Sequence, residues 1–124
     1  MGNTSLHGCR ILVVEDEYML ADELAQELAD AGAEVLGPAP TIALALAVLE
    51  GSVPDGAILD VNLGGVLVFP LADTLIERGV PVIFTSGYDP EALPARFANV
   101  PKCNKPINVA LIMATIRRAI VDAA

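Results

Sequence analysis

Three short apolar runs, Ile11-Leu12-Val13-Val14, Ala57-Ile58-Leu59 and Val82-Ile83-Phe84, stop abruptly at polar residues. None has helical spacing, which is how strands buried on both faces read. Between them the period lengthens. Leu20, Leu24, Leu28 and Ala31 form one stripe from Tyr18 onward, with Glu23, Glu27 and Asp30 facing away, and Gly32 ends that helix. Glu34-Val35-Leu36 reads as a short strand closed by Gly37-Pro38-Ala39-Pro40. Thr41 caps a helix through Glu50, with Ile42, Ala45, Leu46 and Leu49 turned inward. A third helix runs from near Val68 to Arg78, with Pro70 tolerated in its first turn. Lys102-Cys103-Asn104 is a weak last strand. Asn108 then caps a final helix with the stripe Val109, Ile112, Met113, Ile116 and Ile120. Pro90 and Pro94 interrupt residues 89–99, so the fourth helix is predicted to be weak or broken.

Strands alternating with helices predict an α/β fold, a doubly wound five-stranded parallel sheet with helices on both faces. The 124 residues read as a single domain, 1–124, with a core of about 9–122 and no linker or repeat. If the strand order is 2-1-3-4-5, the ligand crevice lies at the carboxyl ends of the first and third strands. Glu15 and Asp16 end the first strand, and Asp60 ends the third. A lone aspartate there is more often a loop cap than a site. Three carboxylates at one crevice change that balance.

Composition narrows the class. An apolar fraction of 54% excludes a disordered chain. No apolar stretch reaches the roughly 18 residues of a membrane span, and the first residues have no secretion-signal pattern, so a cytoplasmic protein is expected. Sixteen acids against seven bases give a net charge of −9, which argues against binding nucleic acid. Cys9 and Cys103 lie far apart, without metal-like spacing, and read as small buried residues.

Converging carboxylates repel one another unless a cation joins them. Oxygen ligands favour a hard divalent ion, and Mg²⁺ is the natural candidate. Lys105, after the last strand, is the lysine expected at the same edge. A phosphoryl group arriving on Asp60 would meet a metal, an ammonium and a hydroxyl, the charge neutralisation that phosphoryl transfer needs.

Four segments in order, each at a strand's carboxyl end, now carry a resemblance. They are Val13-Val14-Glu15-Asp16-Glu17, Ile58-Leu59-Asp60-Val61-Asn62-Leu63, Phe84-Thr85-Ser86-Gly87-Tyr88 and Asn104-Lys105-Pro106. The chain resembles a bacterial two-component response-regulator receiver domain of the stand-alone type, with a flavodoxin-like fold. The resemblance implies a phosphoacceptor, not an enzyme acting on other molecules. Asp60 would accept a phosphoryl group from a sensor histidine kinase or phosphotransfer protein. Mg²⁺ would be held by Asp16, Asp60 and the carbonyl of Asn62, with Glu15 acting through a water. Lys105 would pair with the phosphoryl oxygens, the bond before Pro106 would be cis, and a hydroxyl would close on the phosphoryl group. With no output domain expected, the signal would leave through contact with a downstream protein or by phosphorelay, from a monomer or weak dimer.

The departures are specific. The acid pair is Glu-Asp instead of the commoner Asp-Asp. The hydroxyl is either Thr85 or Ser86; Ser86 is favoured because Gly87 follows it. Lys102 stands where the family often has an aromatic residue, so the usual aromatic switch is missing. These last features resemble receivers with a Phe-Ala-Thr-Gly-x-Tyr fourth-strand motif. Tyr18 and Met19 are a candidate kinase contact, and Leu111 and Arg118 a candidate partner surface. Two alternatives stand beside this reading. A degenerate receiver would bind partners without phosphorylation, but no acid, lysine or acceptor is missing. A small phosphohydrolase would want a second Asp where Asn62 stands.

Overall fold

The computed structural model describes residues 5–87 and 93–123. In chain order its elements are β1 (Arg10–Val14), α1 (Tyr18–Asp30), β2 (Glu34–Ala39), α2 (Ile42–Leu49), β3 (Gly56–Asp60), β4 (Asn62–Leu63) and β5 (Val66–Leu67). They continue with α3 (Phe69–Glu77), β6 (Val82–Ser86), a 3-10 turn (Ala95–Phe97), β7 (Lys102–Asn104) and α4 (Val109–Ala123). Five strands form one parallel sheet in the order β2-β1-β3-β6-β7. This is the expected doubly wound, flavodoxin-like order, with the small hairpin β4–β5 set apart from the sheet.

Side chains alternate across a strand, and here the alternation builds two cores. Leu12, Val14, Ala57, Leu59, Val82 and Phe84 pack with α2 and α3. Ile11, Val13, Ile58 and Ile83 pack with α1 and α4. Both sets are nearly solvent-free, which is why these strands read as unbroken apolar runs. The two predicted caps are present. Thr41 Oγ1 accepts the Leu44 N–H at 3.2 Å, and Asn108 Oδ1 accepts the Leu111 N–H at 3.1 Å.

Four local features differ from expectation. A hairpin, β4–β5, that the pattern did not announce turns at Gly64 and Gly65. Both have positive φ (63° and 99°) and form the two-residue turn of the β4–β5 hairpin, a backbone that favours glycine. The second strand runs on through Gly37 and Pro38 to Ala39, with an irregular register against β1 between Leu12 and Val14. Leu46 points outward and Ala21 replaces Leu20 on the buried face of α1. Finally, residues 93–100 are better anchored than their prolines suggested. Phe97 is 1% exposed and stacks on Phe69 (centroids 5.3 Å), with Phe84 edge-on at 5.4 Å. Phe69 also meets Phe84 edge-on, so all three phenylalanines of the chain form one cluster. Arg96 adds a two-pronged bond to Asp73, both arms 2.9 Å. The part of the interrupted region at 88–92 lies outside the described residues. Among the described residues, no helix is long and apolar enough to cross a membrane.

Candidate functional site

Among the described residues, four buried polar ones accompany the apolar core, and all lie at the carboxyl end of the sheet: Glu15, Asp60, Thr85 and Ser86. Parallel strands bring them together. Val14 is in register with Leu59, and Asp60 with Thr85, so residues 15 and 60 emerge from neighbouring strands at one edge. Ser86 is in register with Asn104, which delivers Lys105 from the next strand; the Lys105 N–H donates to the Ser86 carbonyl at 2.6 Å. The Lys105–Pro106 peptide is cis.

Asp60 is 3% exposed and divides its oxygens between two tasks. Oδ1 accepts the Asn62 N–H at 3.2 Å, turning the chain into the hairpin. Oδ2 accepts from Lys105 Nζ at 2.9 Å. The loop-cap role and the site role therefore coexist in one carboxylate. Asn62 uses its side chain structurally, with Oδ1 accepting the Gly65 N–H at 2.6 Å. Lys105 Nζ also lies 3.5 Å from Glu15 and 3.3 Å from Glu17 Oε1. Its ammonium is held above the ordinary value: burial pulls it down, but the bond to Asp60 and the charges of Glu15 and Asp60 outweigh that.

Glu15 carries the strongest perturbation. Its carboxyl is pushed up to about 7, first by burial and then by neighbouring Asp60; the Glu17 N–H and Lys105 oppose the shift. Oε2 accepts that N–H at 3.0 Å, while Oε1 is buried without a hydrogen-bond partner. A buried unpartnered carboxylate oxygen calls for an unseen partner. Ligand oxygens of Glu15, Asp16 and Asp60 lie within 4.8 Å of one another. An all-oxygen, net-negative donor set with one orphaned oxygen fits a hard divalent cation. These residues could hold Mg²⁺.

The acids and the lysine border an open cleft of about 480 Å³, lined by Asp16, Asp60, Asn62, Ser86, Gly87 and Lys105, with the hairpin glycines on one side. Ser86 faces this cleft, whereas Thr85 is buried and does not line it.

The most informative comparison is with solved structures. SdrG from Sphingomonas melonis is 35% identical, with 91% of this chain and 96% of that one covered and a TM-score of 0.78. The response regulator PhyR from Brucella abortus is 28% identical over 98% of this chain, with a TM-score of 0.81. This chain is a response-regulator receiver domain. It spans about half (51%) of the PhyR chain. A response regulator receiver protein from Sinorhizobium medicae shares the fold at 22% identity, covered over 97% of this chain and 100% of that one, with a TM-score of 0.78. No protein-family model and no curated protein sequence matches.

In this receiver all the residues singled out for the site, Glu15, Asp16, Asp60, Asn62, Ser86 and Lys105, converge on one edge. Tyr18 and Met19, the candidate kinase contact, are both 83% exposed at the start of α1. Tyr88 lies outside the described residues. Pattern reading missed two participants. Glu17 reaches Lys105 across 88 positions of sequence, a contact that no local signal announces. The hairpin wall of the cleft is the second, and its local signal is the Gly64-Gly65 pair that supplies its turn.

Proposed function

We propose that this receiver accepts a phosphoryl group on Asp60 from a phosphohistidine on a sensor histidine kinase or phosphotransfer protein. The observation that carries the reading is the state of Asp60. Its carboxylate is buried, one oxygen faces an ammonium at 2.9 Å, and the open cleft gives a donor access. An Asp60 oxygen attacks phosphorus, the phosphorus–nitrogen bond of the donor breaks, and the imidazole leaves. Lys105 neutralises charge on the phosphoryl oxygens. Ser86, on the cleft wall, donates its hydroxyl to the bound phosphoryl group and so reports that the site is filled.

Mg²⁺ would be held by Asp16, Asp60 and the Asn62 carbonyl, with Glu15 reached through a water; when bound it supplies charge neutralisation for the incoming group. Glu15 suits the outer role because its extra methylene is accommodated more readily across a water. The acyl phosphate changes this cytoplasmic domain's contacts with a downstream protein, or the phosphoryl group is passed on by relay. Similarity to the response regulator PhyR supports a signalling role.

Intact-mass spectrometry after incubation with acetyl phosphate tests the chemistry. One phosphoryl adduct is expected with Mg²⁺ and none with EDTA or in Asp60→Asn. An adduct of undiminished yield in that variant would place the acceptor elsewhere.

A further inference from the structure

Glu17 is the last residue before α1, and it occupies that place oddly. Its carbonyl accepts the Ala21 N–H at 2.9 Å, so its backbone starts the helix, yet its side chain caps nothing. Serine, threonine, aspartate and asparagine are the residues that suit this position. The glutamate side chain instead crosses to Lys105, with Oε1 3.3 Å from Nζ. One ammonium thus faces three carboxylates, those of Asp60, Glu17 and Glu15. Two of these are buried and one is not: the Glu17 side chain is 64% exposed and stands at the mouth of the cleft.

We propose that Glu17 is a positioning residue that restrains phosphorylation of Asp60 by sharing the Lys105 ammonium and repelling anionic donors at the cleft mouth. The inference rests on Asp60 being the acceptor, and concerns a residue outside the acceptor, the metal ligands and the switch hydroxyl. Before transfer, Glu17 balances part of the lysine charge. As the donor enters, the lysine turns to the phosphoryl oxygens and Glu17 is left as a bare carboxylate beside a second anion. That arrangement disfavours the loaded approach. Two unit charges about 6 Å apart in water differ by enough to change a rate about threefold, and more where the cleft walls exclude solvent. Because Glu17 is exposed, salt should screen the effect.

Initial rates of adduct formation with acetyl phosphate at saturating Mg²⁺ provide the test, using the wild type, Glu17→Gln and Glu17→Asp at low and high ionic strength. Glu17→Gln keeps the shape and removes the charge. It should be phosphorylated about three- to tenfold faster at low salt, the advantage fading toward none at high salt. With phosphoramidate, a less highly charged donor, the advantage should be smaller. Glu17→Asp keeps the charge and supplies a side chain suited to capping. One methylene shorter, it keeps the charge at the cleft mouth but gives up its reach to Lys105, so its rate should fall between those of wild type and Glu17→Gln while its melting temperature rises. A purely structural role would make rate follow stability and leave it indifferent to salt. Equal rates for Glu17→Gln and wild type at low salt, or an acceleration unchanged by salt, would overturn the proposal. A wild type that takes no phosphoryl group, or an Asp60→Asn variant that still does, would instead overturn the acceptor assignment, and this proposal with it.

Discussion

Two clusters in this domain each gather three residues from distant parts of the chain, and they are held in opposite ways. Phe69, Phe84 and Phe97 meet by apolar contact, and each gains from the others' presence. Glu15, Asp60 and Lys105 meet at the rim, where burial and like charge work against them. Phe84 and Ser86 lie two residues apart on β6, so one strand serves the aromatic cluster and also lines the cleft beside the charged one. The difference teaches where the site's geometry comes from. Lys105 offsets part of that repulsion at the rim, but the two acids are carried into proximity by strands that the core fixes.

The comparison breaks most sharply at Phe97. Phe97→Ala removes a ring that is 1% exposed, and stability should fall by about 3–5 kcal/mol in denaturant titration. A loss under about 1 kcal/mol would mean that the aromatic cluster is not what anchors residues 93–100.

The rim should respond to pH instead. In the metal-free folded protein Glu15 keeps its proton to about pH 7, against 4.5 for an ordinary glutamate. Folding therefore favours the protonated form between those values. The stabilisation from this proton is complete below about pH 4.5 and is lost as pH rises through about 7, a change of up to about 3 kcal/mol. Unfolding midpoints in EDTA should accordingly fall from about pH 5 to pH 8, and Glu15→Gln should flatten the trend. Added Mg²⁺ should also flatten it, because a cation favours the charged carboxylate. A trend that persists undiminished in Glu15→Gln would trace it to other groups.

The smallest effect is expected at the bond that ties the aromatic segment to α3. Arg96 and Asp73 are exposed, so Arg96→Gln should lower the melting temperature only slightly, and molar salt should erase the difference. A large, salt-independent drop would show that Arg96 works by lying over the Phe97 ring, 4.5 Å from its centroid, and not by charge.

Much of this was legible in the sequence because the informative signals were local and repeated. Apolar runs ending in acids marked β1 and β3, and strand alternation with helices then placed Glu15, Asp16 and Asp60 together before any contact was known. Lys105 followed from its place after the last strand, whereas Ser86 was chosen through motif resemblance, since one serine carries little pattern of its own. What stayed hidden depended on pairing across distance or on one residue's fate. Phe97 sits among turn-forming residues, and nothing nearby shows that Phe69 and Phe84 leave a place for it. Glu17 reads as one more acid in a run of eight between Glu15 and Glu34. The β2 extension was obscured by Gly37-Pro38, which ordinarily close a strand.

That same proline has a further consequence. β2 is an edge of the sheet, and Pro38 offers no N–H along it; the opposite edge, β7, is only three residues long. Exposed edges are templates for strand addition, and both of these are blunted by devices that natural sheets use against it. A chain with this many apolar residues is thereby protected from growing edge to edge with its own copies. It also follows that a protein reading this domain is denied main-chain pairing as a means of recognition. Side chains on the helices and loops are then the surface left for recognition, and under the proposed function that is where a phosphoryl group on Asp60 would act.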